Sequence, residues 1–143
     1  LSPTKSIVKN KSIILIDDSL VRGTTCHKII KMLYEAGAKE VHVRIACPEI
    51  KFPDFYGVDM PTKNELLAHK KNIEEMCEYI KAKSLKFLSL DGLYVGLEKG
   101  KRNSSYPQFS DHYFTGDYPV KPSDNLGENK ITQLSLLSGK SSN

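Results

Sequence analysis

Ser12-Ile13-Ile14-Leu15-Ile16-Asp17-Asp18-Ser19-Leu20-Val21-Arg22-Gly23-Thr24-Thr25 passes from a short apolar run, through two acids and a loop with one glycine, into a pair of threonines. Residues 12–16 are rich in β-branched side chains and follow the polar Lys9-Asn10-Lys11, so they read as a strand buried on both faces, as in a parallel sheet. Thr24-Thr25 opens a helical pattern in which Ile29, Ile30, Leu33 and Tyr34 recur on one side, and Ala36-Gly37 carries a glycine stop signal. Val41-His42-Val43-Arg44-Ile45-Ala46 alternates apolar and polar residues, the mark of a second strand. Strand, loop, helix and strand between Ser12 and Ala46 make a βαβ unit. Crossovers of this kind are almost always right-handed, and ligands sit at the carboxyl ends of the strands.

Further along, Pro48 to Pro61 reads as loop, with three prolines and the aromatic group Phe52, Phe55 and Tyr56. Thr62 with Glu65 predicts a capped helix through His69, and Asn72 with Glu75 predicts another whose buried stripe is Ile73, Met76, Cys77 and Ile80. Leu85 to Leu88 suits a short strand, and Ser89 caps a helix running to Leu97. From Glu98 onward small and polar residues dominate, and residues 123–143 lack periodicity and read as loose or docked in extended form. The expected division is a body over residues 1–100 and a largely irregular extension over 101–143.

Composition bounds the partners. The apolar residues of the 143-residue chain make up 39% and lie mostly between Ile13 and Leu97. That supports one compact body of roughly 100 residues. The net charge of +4 suits a phosphorylated ligand, and equally a set of solvated lysines. No stretch approaches the ~20 apolar residues of a membrane helix, and no signal peptide is visible. Cys26, Cys47 and Cys77 are odd in number and widely spaced, which argues against a disulfide framework or a zinc site and fits reduced thiols in a cytoplasmic protein. His27, His42, His69 and His112 are scattered without ligand spacing. The chain opens on Leu1, as expected of a fragment or a processed product.

The chemistry of Asp17 to Thr25 follows from its residue types. Adjacent carboxylates at a strand end point to opposite sides, where they can accept hydrogen bonds from a ribose diol or lie near a divalent cation, directly or through water. Ser19, Thr24 and Thr25 supply hydroxyls, and Gly23 lets the backbone approach a ligand or take a positive φ. The helix beyond presents unpaired N–H groups and a positive dipole end. One peptide therefore offers a diol clamp and a phosphate cradle, which matches ribose 5-phosphate. Arg22 either touches the phosphate or points outward and shapes the loop. A phosphorylated receiver domain also carries an acid pair at a strand end, but without the hydroxyl-rich Gly-Thr-Thr loop. The G-x-x-x-x-G-K-[ST] loop is absent. An unadorned strand-to-helix turn does not need these residues in this order.

Ile14-Leu15-Ile16-Asp17-Asp18-Ser19-Leu20-Val21-Arg22-Gly23-Thr24-Thr25 resembles the phosphoribosyl-pyrophosphate signature of type I phosphoribosyltransferases, in the wording of the amidophosphoribosyltransferase family. Four further stretches resemble that family: Ala36 to Arg44, Phe55 to Thr62, Ser84 to Leu93, and Phe114-Thr115-Gly116-Asp117-Tyr118-Pro119. The resemblance implies an α/β fold, part of a type I phosphoribosyltransferase domain with a Rossmann-like parallel sheet, C-terminal helices and an irregular tail. It also implies that Asp17 and Asp18 are the catalytic groups, facing the ribose hydroxyls and Mg2+, and that Ser19, Val21, Arg22, Gly23, Thr24 and Thr25 wrap the 5-phosphate. The implied reaction displaces pyrophosphate from ribose C1 with ammonia, inverting the anomeric centre through an oxocarbenium-like transition state. Implied partners are phosphoribosyl pyrophosphate, purine nucleotides as feedback inhibitors, and further copies in a homo-oligomer.

The family's glutaminase domain, pyrophosphate-gripping segment and closing loop are absent from these residues, so the chain alone is expected to bind without turning over. Some members carry an iron–sulfur cluster whose cysteines fall near Asp54, Ser110 and Tyr113, and since none is Cys no cluster is expected. A regulator of the same fold would pair the loop with a nucleic-acid-binding element, but neither a helix-turn-helix nor a basic stripe is visible. A base-salvage transferase would lack the Phe55–Thr62 and Phe114–Pro119 peptides.

Overall fold

A computed structural model describes residues 3–56, 62–105 and 108–120. The expectation for residues 123–143, and most of the Phe55–Thr62 peptide, lie outside the described residues. In chain order the elements are α1 (Lys5–Val8), β1 (Ser12–Asp17), α2 (Thr24–Glu35), β2 (Glu40–Ile45), a 3-10 turn (Lys63–Glu65), α3 (Leu67–Lys70), α4 (Ile73–Ile80), β3 (Ser84–Phe87), α5 (Leu90–Gly96) and α6 (His112–Thr115). The three strands form a parallel sheet with β2 in the centre.

Alternation along β2 decides which face is the core. Val41, Val43 and Ile45 are buried and meet Ile30 of α2, Met76 and Ile80 of α4, and Leu85 of β3. The intervening His42 and Arg44 lie on the other face, where each reaches the Ser84 hydroxyl. Helix α2 stops where the sequence predicts: Gly37 takes φ +95°, its N–H donates to the Tyr34 carbonyl at 2.9 Å, and the Ala38 N–H donates to Leu33 at 3.0 Å. Asn72 and Glu75 cap α4 reciprocally, at 2.8 and 2.9 Å. Ser89 caps α5 through the Gly92 N–H at 3.0 Å.

Three expectations are corrected. β1 is buried on one face only: Ile13 and Leu15 pack on the core, while Ile14 and Ile16 are 65% and 72% exposed. The helices α2 and α4 cover one side of the sheet, and among the described residues β1 pairs with β2 alone. The helix predicted from Thr62 through His69 breaks at Leu66, whose ψ is 119°. The break lets Leu66, Leu67 and Ala68 all be buried, which three successive residues cannot do on one face of a regular helix. Within α4 the stripe holds at Met76 and Ile80, whereas Ile73 is exposed.

Residues 101–105 and 108–120 are fastened to the body through polar side chains. Buried Asp111 accepts from the Tyr94 hydroxyl at 2.7 Å and from Arg102 Nη2 at 3.1 Å, and Arg102 Nη2 also donates to Asp117 at 2.7 Å. His112 Nε2 meets Asp54 Oδ1 at 2.8 Å, with both side chains buried. The backbone N–H groups of Lys51 and Phe52 donate to the Tyr113 carbonyl. These bonds place α6 on the loop that follows β2.

Candidate functional site

β1 ends at Asp17, opposite Ile45 of β2, and the Asp17 carbonyl accepts from the Ala46 N–H at 2.9 Å. The chain leaves the sheet there, at the carboxyl end of parallel strands where open α/β sheets bind ligands. Leu20, 2% exposed, inserts into the core and pulls the loop back over the sheet. The result is an open depression of about 430 Å3 lined by every residue from Asp17 to Cys26. It brings together all the residues singled out from the sequence. A depression of similar size, about 440 Å3, lies against Ser104, Ser105 and Asp117, but that carboxylate is already paired with Arg102.

At the acid end, the Asp18 N–H donates to Asp17 Oδ1 at 3.0 Å, and the Ser19 hydroxyl donates to Asp18 Oδ1 at 2.9 Å. Ser19, expected among the phosphate donors, thus orients an acid in this state. One oxygen of each carboxylate is engaged within the loop. Among the described residues no three His, Cys, Asp or Glu side chains converge to hold a metal ion. Two carboxylates still suit Mg2+, which usually takes one or two of them and completes its shell with water and ligand phosphate. Both acids act on neighbouring thiols. Burial, and then the charge of Asp17, pushes Cys26 up to about 11. Burial, and then Asp18, pushes Cys47 up to about 11, against a backbone hydrogen bond from Leu20.

At the helix end, Gly23 is the N-cap of α2 in the left-handed region, φ +76°, with no side-chain cap. The exposed Thr24 and Thr25 follow as the first helical residues, and the first-turn N–H groups have no partner within the helix. Absence of a side-chain cap leaves that end open to an anion. A Cβ at position 23 would lie 2.8 Å from Leu67 Cδ2, 3.1 Å from Tyr79 Cε1 and 3.4 Å from Ile80 Cγ2. Position 23 therefore requires glycine twice over, for its backbone and for its packing.

Arg22 turns outward. Its Nε and Nη2 donate to Glu65 Oε1 at 3.2 and 3.0 Å, and the neighbouring Val21 carbonyl accepts from the Leu67 N–H at 2.8 Å. Bonds from Thr62, and then from Arg22, hold the Glu65 carboxyl below its usual range. Glu65 and Leu67 were not legible as parts of the site. Thr62-x-x-Glu65 is visible as a local cap, but its contact with Arg22 spans 43 residues. The positions Asp54, Ser110 and Tyr113 offer no thiolate, the ligand that iron–sulfur clusters require.

No family model matches the chain. The chain is 50% identical over 137 residues to the amidophosphoribosyltransferase of Rhizobium etli, covering 95% of this chain and 28% of that protein. It is 51% identical over 122 residues to the Staphylococcus aureus (strain N315) amidophosphoribosyltransferase, covering 84% of this chain and 24% of that one. Among solved structures, the glutamine phosphoribosylpyrophosphate amidotransferase of B. subtilis, complexed with ADP and GMP, is 43% identical, with a TM-score of 0.74 over 82% of this chain and 26% of that one. The structure described as the allosteric regulatory enzyme of purine biosynthesis is 41% identical, with a TM-score of 0.70 over 82% of this chain and 25% of that one. The chain thus spans about a quarter of the length of the proteins it matches, 24–28% of these four.

Proposed function

This chain belongs to the amidophosphoribosyltransferase family, and from that premise we propose that residues 17–25 bind the ribose 5-phosphate moiety of phosphoribosyl pyrophosphate in the enzyme that begins purine synthesis. The reaction converts phosphoribosyl pyrophosphate, glutamine and water to 5-phosphoribosylamine, pyrophosphate and glutamate. The observation that carries the reading is the union, in one depression, of two carboxylates at a strand end with an uncapped helix N-terminus seven residues on, from Asp17 to Thr24. The carboxylates of Asp17 and Asp18 accept from the ribose hydroxyls. The N–H groups at the start of α2 and the Thr24 and Thr25 hydroxyls donate to the 5-phosphate. Held this way, C1 of the sugar faces the attacking ammonia, and the carboxylates offset positive charge developing on the ring.

Bound Mg2+ supplies charge neutralisation for the departing pyrophosphate. Asp17 and Asp18 are the residues that would hold it, directly or through water. Purine nucleotides carry the same 5′-phosphate and ribose diol, so they fit the same cradle as competing ligands; the B. subtilis relative is complexed with ADP and GMP. The full-length protein acts as a homo-oligomer in this reading, and the free thiols of Cys26, Cys47 and Cys77 suit the cytoplasm.

The test is a 31P NMR titration of the chain with ribose 5-phosphate and with inorganic phosphate. Replacing Asp17 and Asp18 together by Asn weakens ribose 5-phosphate by about tenfold or more, since hydrogen bonds to charged groups contribute roughly 1.5–3 kcal/mol each. Inorganic phosphate binds as well or better, because two negative charges beside the cradle are gone. Equal losses for both ligands, or none for either, would remove the diol-clamp role.

A further inference from the structure

We propose that Glu65 is a positioning residue for the phosphate cradle: it holds the Arg22 guanidinium on the outside of the loop, so that backbone N–H groups and threonine hydroxyls bind the phosphate in place of the arginine. The inference rests on the phosphoribosyl reading of residues 17–25 and names what shapes that site.

Three consecutive loop residues are gripped by one short segment. The Val21 carbonyl accepts from the Leu67 N–H at 2.8 Å. Arg22 donates twice to Glu65 Oε1. Gly23 backs onto the buried Leu67 so closely that a Cβ does not fit. Glu65 is fixed independently of Arg22, because its Oε2 accepts from the Thr62 N–H and the Thr62 hydroxyl, both at 3.0 Å. The acceptor is thus set by a local cap before the loop arrives. The ion pair alone is weak, since both side chains are about half exposed. Its neighbours hold the backbone on both sides of Arg22, with the Val21 carbonyl bonded to the Leu67 N–H and Gly23 packed on the Leu67 side chain. A phosphate at the helix N-terminus then meets a rigid array of N–H groups, whose geometry is set without a flexible cation.

The experiment uses the 15N-labelled chain, free and with ribose 5-phosphate. The Arg22 Nε–H resonance is expected to be protected in the free chain, absent in Glu65→Gln, and unmoved by saturating ligand. Glu65→Gln is also expected to shift the amides of residues 21–25 and to weaken ribose 5-phosphate by about two- to fivefold, the scale of a half-exposed ion pair. Arg22→Ala costs a similar factor, and the double variant costs no more than either single one. Thr62→Val, which loosens Glu65 without changing its charge, moves the same amides in the same direction. The proposal is overturned by a tenfold loss in Arg22→Ala with neutral or tighter binding in Glu65→Gln, by a ligand-induced shift of the Nε–H, or by unmoved loop amides in the Glu65→Gln and Thr62→Val chains. A wild-type chain that ignores ribose 5-phosphate sinks the phosphoribosyl reading instead, while the ligand-free spectra still decide whether Glu65 positions the loop.

Discussion

Gly23→Ala strikes the point where loop, helix and core meet. Two costs arise. An alanine at φ +76° sits in the left-handed region, at about 1–2 kcal/mol. Its Cβ also meets Leu67 Cδ2 at 2.8 Å and Tyr79 Cε1 at 3.1 Å. Overpacking of this kind costs about 1–3 kcal/mol, and Leu67, only 6% exposed, has little room to yield. The sum is about 2–5 kcal/mol, a large part of the stability of a small body. Gly100 separates the two terms, since it has φ +71° with no atom within 4 Å of an added Cβ. Gly100→Ala therefore reports the backbone term alone. Urea unfolding followed by circular dichroism measures both, and with a slope of about 1–2 kcal/mol per molar the midpoint of Gly23→Ala falls by roughly 1–5 M. Gly100→Ala falls by about 0.5–2 M on the same scale, always by less than Gly23→Ala at a given slope. Equal midpoints for the two variants would show that Leu67 does not pack against the loop, and a wild-type midpoint for Gly23→Ala would refute the whole argument for glycine.

Two further outcomes follow from the polar network and the thiols. Burial pushes the Asp111 carboxyl up, but hydrogen bonds from Arg102, Tyr94 and Thr115 outweigh it and hold it below the usual carboxylate range. A depressed carboxyl contributes stability above the unfolded value of about 3.9 and loses it as pH falls below that. The melting temperature should therefore drop between pH 5 and 3 in a way that Asp111→Ala abolishes. At pH 7 the same variant should cost about 3–5 kcal/mol by leaving Arg102 without its main partner; a loss under about 1 kcal/mol would mean that the network is solvated. At pH 8, Cys26 and Cys47, both near 11, hold about 0.1% thiolate and should react with iodoacetamide about a hundredfold more slowly than free cysteine. Peptide mass spectrometry showing either thiol modified at the rate of free cysteine would contradict the burial that raises them.

The βαβ unit was legible because its signals are local. Apolar β-branched residues at Ser12–Ile16, the Gly37 stop and the Asn72 and Ser89 caps each act within a few residues of chain. Family resemblance added the reaction, since the Asp17–Thr25 peptide alone specifies a diol and a phosphate but not what is done to them. In the polar segment after Glu98 the sequence carries no signal for the burial of Asp111 and His112, because their partners Arg102, Tyr94 and Asp54 are brought beside them only by the fold.

The sequence by itself determined the peptide on which the site is built: two acids at the end of a strand, a glycine free to take a positive φ, and a helix start with unpaired N–H groups. Only the tertiary structure decided that Arg22 faces Glu65 and that Leu67 leaves no room at Gly23. The physical reason is range. Backbone preference and capping depend on residues a turn apart, whereas the direction of a long side chain depends on which distant segment packs beside it. In this fold that segment arrives through the break at Leu66, which buries three residues in a row and carries Glu65 up to the loop.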